Sequence, residues 1–130
     1  MKLSPNGEYL ALASFKVIHI YSMKTYKYIE EIRTHEHHIF CLAFNNKGLL
    51  ASGSYDCTIN LFDAKRFSFI RRLGSDRDHI NTIDFHPELP YLASGNEKGH
   101  VVVWDYKTDE KLKTLKDFKD SITEVKFSDT

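Results

Sequence analysis

The chain has no excess charge of either sign. Lysine and arginine total 18, aspartate and glutamate total 18, and the formal net charge is zero with histidine neutral. That balance gives no support to nucleic-acid binding through bulk charge. Cysteine is scarce: Cys41 and Cys57 are too few for a disulfide framework and read as free thiols of an intracellular protein. No apolar run approaches the ~20 residues of a membrane-spanning helix, so membrane insertion is not expected. The opening KLSPNGEYL has no apolar secretory core. Also missing are a Gly-rich phosphate loop, a nucleophile elbow and paired carboxylates at a plausible site mouth, so the sequence points away from an enzyme. No cofactor is expected.

What is present is a repeat. INLFD ends at Asp63, VVVWD ends at Asp105, and a fainter IHIYS ends at Ser22, 41 and then 42 residues apart. Other positions keep the same step. Ile39, Ile80 and Ile122 open apolar runs ending at Phe44, Phe85 and Phe127, and Leu3 falls one period before Phe44. Ile32, Leu73 and Leu115 match in turn, as do Ile29, Ile70 and Leu112. The extra residue of the third unit lies between Phe85 and Leu92, where HPELPY replaces NNKGL. An insertion in a loop, with none in the apolar runs, is what a folded repeat requires. A period of this size marks stacked supersecondary units.

Hydrophobic residues make up 42% of the chain and aromatic residues 13%, which suits a folded protein. Each unit reads as short strands separated by turn compositions. In the second unit they cover 39–44, 49–53, 58–62 and 67–73; in the third, 80–85, 91–95, 100–104 and 110–115. The first unit supplies 9–13, 17–21 and 27–32, and a last strand is expected at 122–127. Helical spacing over 107–119 competes with strand, but that segment aligns with strands in the other units, and identical units must stack on identical faces. The expected fold is therefore all-β: a partial β-propeller of about three four-stranded antiparallel blades, with a ring not closed by this chain alone. The divisions are 1–33 (a first blade lacking most of its first strand), 34–74 (second blade), 75–116 (third blade) and 117–130 (the first strand of a fourth).

LASGSYDCTINLFD (50–63), followed one period later by LASGNEKGHVVVWD (92–105), resembles the WD-repeat β-propeller family. The resemblance covers essentially the whole chain. It implies a hydrogen-bonded group in each blade: a His before the first strand, a Ser or Thr on the second, an Asp in the next turn and a Trp on the third strand. The matching residues are scattered. His35 and Asp56 fall at the His and turn-Asp positions of the second unit, with Ser52 or Ser54 as the hydroxyl. Phe62 replaces the Trp and cannot donate a hydrogen bond. The third unit has Trp104 and Asp105, but Asp76 and Lys98 occupy its other two positions. The expectation is that these hydrogen bonds do not carry over in detail and that apolar packing dominates. Asp63 and Asp105 fall at turn positions set by the repeat.

The remaining motifs are open to plain readings. His35, His37, His38 and Cys41 invite a zinc reading, but the repeat accounts for His35 and places Cys41 inside a strand, so no metal is expected. KRFSFIRR (65–72) would serve as a phosphate-binding strip with stacking aromatics, or as an outermost strand with one solvated face, which the acidic neighbours favour. Three blades leave apolar faces and strand edges open. The leading expectation is a piece of a longer propeller; self-association into a six-blade dimer and completion by another protein's propeller segment are the alternatives. The family implies a noncatalytic scaffold for protein–protein interaction, located inside the cell, in cytoplasm or nucleus. Its usual binding rim maps to His37, His38, Tyr55, Asp78, His79, Glu97 and Asp120. A merely solvated rim explains these residues as well. The alternative function is a nucleic-acid-associated scaffold, as in RNA processing, acting through Arg71 and Arg72.

Overall fold

The computed structural model describes residues 1–75 and 78–128. Strands occupy β1 (Lys2–Leu3), β2 (Tyr9–Ser14), β3 (Val17–Ser22) and β4 (Tyr28–Ile32); then β5 (Ile39–Phe44), β6 (Leu49–Ser54), β7 (Thr58–Asp63) and β8 (Phe69–Ser75); then β9 (Ile80–Phe85), β10 (Tyr91–Asn96), β11 (Val101–Asp105) and β12 (Glu110–Leu115). Each group of four is one antiparallel sheet paired in chain order. The described residues contain no helix. The segment around 107–119, ambiguous by local spacing, pairs as β12 on β11, so repeat register prevails over helical propensity.

The turn from the third to the fourth strand shows how the repeat is written in local chemistry. Asp63 accepts backbone N–H bonds from Lys65 and Arg66, and Asp105 accepts the same pair from Lys107 and Thr108. Ser22 does this with its hydroxyl oxygen toward Lys24 and Thr25. Side chains that accept from the backbone two and three residues on favour turns over continued strand. Each turn then closes through a left-handed residue: Tyr26 (φ 57°), Phe67 (φ 54°) and Asp109 (φ 63°). Phe67 therefore belongs to the turn and not to the strand expected at 67–73; its ring is buried edge-on against Tyr9, with centroids 5.0 Å apart.

The sheets stack through their faces. Leu50 and Phe62 point to the first sheet and join Ala11, Ile18 and Ile20. Ala51, Ile59 and Leu61 point the other way and join Ile80, Leu92, Val102 and Trp104. Alternate residues of one strand thus serve two cores, which is why β6 and β7 are buried almost throughout. The outermost strands β4 and β12 have most residues exposed. Contacts run from β1 and β2 to β5, and from β5 and β6 to β9, so the three sheets form an open arc.

The first strand of the first unit is the two-residue β1, which pairs Lys2 with Ala11 and Leu3 with Leu10. One segment departs from expectation: 122–127 forms no strand. It nevertheless lies beside β9. The Ile122 N–H donates to the Asn96 carbonyl at 2.9 Å, that of Val125 to Thr82 Oγ1 at 3.3 Å and that of Phe127 to Asp84 at 2.7 Å. The reason is physical: a strand needs a ladder partner, and these residues meet side chains of the neighbouring sheet in place of one.

Glycine sets the spacing between sheets. A β-carbon on Gly53 would sit 2.5 Å from Ile80 Cγ2 and 2.6 Å from Cys41 Sγ; at Gly95 it would overlap Ile122, one period later. We expect Gly53→Ala to lower unfolding stability by about 1–3 kcal/mol through overpacking of the second joint. Combined with Ile80→Ala, which is itself destabilising, the total loss should be smaller than the sum of the two single losses, because the two changes share one space. Urea unfolding of the two single variants and the double variant measures this; strictly additive losses would contradict it.

Candidate functional site

The second blade builds a closed polar group. The His35 side chain is fully buried, with Nδ1 2.9 Å from Asp56 Oδ2 and Nε2 2.6 Å from Ser52 Oγ. A carboxylate can only accept, so Nδ1 carries the proton, and Nε2 accepts from the Ser52 hydroxyl. Asp56 also accepts from the Glu36 and Thr58 backbone N–H groups and from the Thr58 hydroxyl. This corrects the expectation that the hydrogen bonds do not carry over. The His–Ser–Asp part forms around His35, while the Trp donor is absent because the buried Phe62 stands in its place. Ser52, not Ser54, is the hydroxyl partner. Ser54 donates to the His38 carbonyl at 2.8 Å instead. In the third blade the Trp104 indole N–H donates to Ser94 Oγ at 2.9 Å. The reading at Asp76 lies outside the described residues.

Burial holds the His35 imidazole below its ordinary pKa, although the Asp56 carboxylate pulls the other way. Burial pushes Asp56 up, but the hydrogen bonds from Thr58, His35 and the Glu36 backbone outweigh it, and its pKa lies below the usual carboxylate value. The pair is therefore a neutral imidazole on a carboxylate. Both imidazole nitrogens are committed within the protein, and burial pushes the Cys41 thiol up to about 12, which keeps it from forming the thiolate that a metal needs. Among the described residues no three His, Cys, Asp or Glu side chains are grouped to hold a metal.

Around this group lie the residues of the expected rim. His37 and His38 precede β5, Tyr55 stands in the β6–β7 turn, and Asp78 and His79 precede β9. The Tyr55 ring stacks on His79 with centroids 3.5 Å apart and planes at 29°, bridging the second and third blades. His37 and Phe40 approach Tyr55 edge-on at 5.7 and 6.0 Å. On the other side, Phe15 of the β2–β3 turn meets His38 at 5.1 Å. The result is an aromatic and imidazole strip carried by loops of three blades, with Phe15 73%, Phe40 47% and Tyr55 44% exposed. Glu97 adjoins the strip through the His79 backbone, and Asp120 makes no ring contact with it. The Glu97 backbone N–H donates to the His79 carbonyl and its carboxylate accepts from Asn81, while the Asp120 carbonyl is placed over Gly99. Asp78 accepts the His79 N–H.

Sequence reasoning missed Phe15 and Phe40. Phe40 is turned outward by a register shift between Ile39 and Cys41, for which the apolar run IFCLAF holds no signal. Phe15 is legible as a bulky residue in a two-residue turn. Arg71 and Arg72 are both engaged: Arg71 pairs with Asp109 at 3.1 Å, and Arg72 donates to Asn60 at 3.2 Å and to the Thr34 carbonyl at 3.5 Å. Of the two Phe in KRFSFIRR, Phe67 is buried and Phe69 leans edge-on against Phe62. The segment is a packed outer strand, not a stacking strip.

The family profile described as "WD domain, G-beta repeat" matches residues 27–63 and 67–105. A guanine nucleotide-binding protein subunit beta-like protein of Encephalitozoon cuniculi is 37% identical over 87 residues, covering 62% of this chain and 26% of that protein. The COMPASS component SWD3 of Saccharomyces cerevisiae is 29% identical over 140 residues, covering 97% of this chain and 43% of that protein. The solved structure of RRP9 WD40 repeats superposes with a TM-score of 0.90 at 20% identity, over 96% of this chain and 40% of that one. The chain thus spans less than half the length of each of these proteins.

The His35 group makes stability depend on acid. The folded imidazole binds a proton less readily than the unfolded one, so its contribution is whole above about pH 6.5 and is lost as pH falls below it. Asp56 adds a further loss at lower pH, as acid reaches its lowered folded value. We expect the urea midpoint to fall between about pH 7.5 and pH 5 and to fall less steeply for His35→Gln. Equal slopes for the two proteins would contradict the assignment.

Proposed function

The chain belongs to the WD40 repeat family, and from that premise we propose that it is a noncatalytic scaffold that binds other proteins through the aromatic strip of its rim. The observation that carries this reading is the grouping of rings from three blades: Phe15 meets His38, Tyr55 meets His37, Phe40 and His79, and His37, His38 and Tyr55 line one depression between the two sets. Large rings held by strand ends supply contact area at small cost in side-chain entropy, and such residues dominate protein interfaces. Imidazoles beside them add donors and acceptors, with Asp78 at the margin. Support also comes from a relative that is a component of a named complex, COMPASS. The proposed location is intracellular; no helix among the described residues is long and apolar enough to cross a membrane.

The role of Tyr55 follows from its place. It contacts three other rings and spans a joint between blades, so its removal takes away both contact area and the support of His37 and His79. A photo-crosslinking residue at position 55 should capture discrete protein partners in cell extract, whereas the same residue at position 30, on the outermost strand β4, should not. Phe15→Ala with Tyr55→Ala should reduce recovery of those partners about tenfold or more while leaving the fold intact. Equal capture at positions 55 and 30, or full recovery by the double variant, would sink the rim reading.

A further inference from the structure

At the opposite end of the strands, the joint between the second and third blades opens into a groove of about 370 Å³. Leu49, Leu61 and Ile70 form its apolar walls; Lys47, Arg71 and Lys107 stand around it, and no carboxylate lines it. The buried Tyr106 ring forms its base, with the hydroxyl 3.5 Å from Asn45 Nδ2.

The repeat supplies an internal control. One period earlier, Lys47, Leu49 and Arg71 correspond to Asn6, Glu8 and Glu30, while Tyr106 and Lys107 correspond to Ala64 and Lys65. The depression at that first joint, about 340 Å³, is lined by Glu8 as well as Lys65. The blade architecture is therefore satisfied by neutral Asn6 and acidic Glu30 where the second joint has Lys47 and Arg71, while the cation at Lys107 is shared with Lys65. A cationic rim over an apolar floor is a property of the second joint, not of the repeat.

The cations are free to exchange partners. Arg71 and Asp109 are each 41% exposed, and an exposed pair of this kind contributes little. The Lys47 ammonium donates to the Glu88 carbonyl, which leaves its charge in place. Neither contact fills the groove.

We propose that this groove docks an acidic and apolar segment of a partner protein. One bulky apolar side chain seats between Leu61 and Ile70, and flanking carboxylates meet Lys47, Arg71 and Lys107. Charge complementarity selects the partner, and the apolar walls distinguish it from a simple anion. The groove lies away from the aromatic strip, so the two surfaces can fail independently.

The test uses the full chain and a fluorescent peptide of about twelve residues alternating glutamate and leucine, with glutamine in place of glutamate as the control. The glutamate peptide should bind with a Kd below about 100 µM, and added salt should weaken it. The glutamine peptide, and the variant Lys47→Glu with Lys107→Glu, should each bind about tenfold more weakly or less. Both lysines are exposed, and circular dichroism is to check that the variant folds. The proposal is overturned by absence of binding at about 1 mM peptide, by equal binding of the two peptides, or by unchanged binding of the double variant. Loss of binding in Tyr55→Ala in place of the lysine variant overturns it too, since the rim would then be the acceptor.

Discussion

Everything in this molecule depends on a four-stranded sheet that is apolar on both faces and cannot bury either by itself. A single such sheet would expose Leu50 and Phe62 on one side and Ile59 and Leu61 on the other, all of them almost fully buried in the stack. Burying a side chain of that size stabilises by about 1.5–3 kcal/mol, so the neighbour is part of the blade's own stability. The approach must be close for those faces to interlock. Gly53 and Gly95 supply it by having no β-carbon where Ile80 and Ile122 insert. The same device at the second joint and on the outer side of the third blade explains how 122–127 holds its place beside β9 without being a strand: the packing partner is present while the ladder partner is not.

The polar groups are subordinate to that packing but not disordered by it. The second and third blades each keep a subset of the family's hydrogen bonds that is complete within itself. The second holds His35 between Ser52 and Asp56; the third holds Trp104 on Ser94. A half-satisfied buried network is worse than an apolar core, so loss of one member is tolerated where the remaining members still pair. Phe62 illustrates this. It gives up the indole donor, yet Ser52 stays satisfied because its hydroxyl is already committed to His35.

The period made the architecture legible, because 41- and 42-residue steps tie each strand to its counterparts and override local helical spacing at 107–119. The turn chemistry was legible too: Asp63 and Asp105 accept from the backbone in the same way, and Ser22 substitutes with a hydroxyl. What stayed hidden were departures from regular alternation. Phe40 faces outward because the pairing slips by a residue after Ile39, and a slip of that kind reverses the side that a residue presents. Phe67 is in a left-handed turn conformation that no scale assigns to phenylalanine. The completeness of the His35 group was hidden for another reason. The missing Trp reads as a defect of the network, whereas His35, Ser52 and Asp56 pair without it.

A repeat separates architecture from function by an internal comparison. Where three units agree, as at Ile18, Ile59 and Val101 or at the turn acceptors, the residue is required by stacking. Where they differ while the backbone stays the same, stacking has no say. Glu30 and Glu31 on β4 occupy the positions of Arg71 and Arg72 on β8, yet the pairing at these positions is the same, Ile20 with Glu30 and His19 with Glu31 as Leu61 with Arg71 and Asn60 with Arg72. Tyr55 stands in a turn, where nothing in the ladder calls for an aromatic ring, yet it is stacked on the next blade's His79. Residues of this second kind gather at the two ends of the second blade and not along its faces. A molecule whose faces are consumed by its own assembly has only its ends and its joints to offer to others, and those are where this chain places aromatic and cationic side chains that the fold does not need.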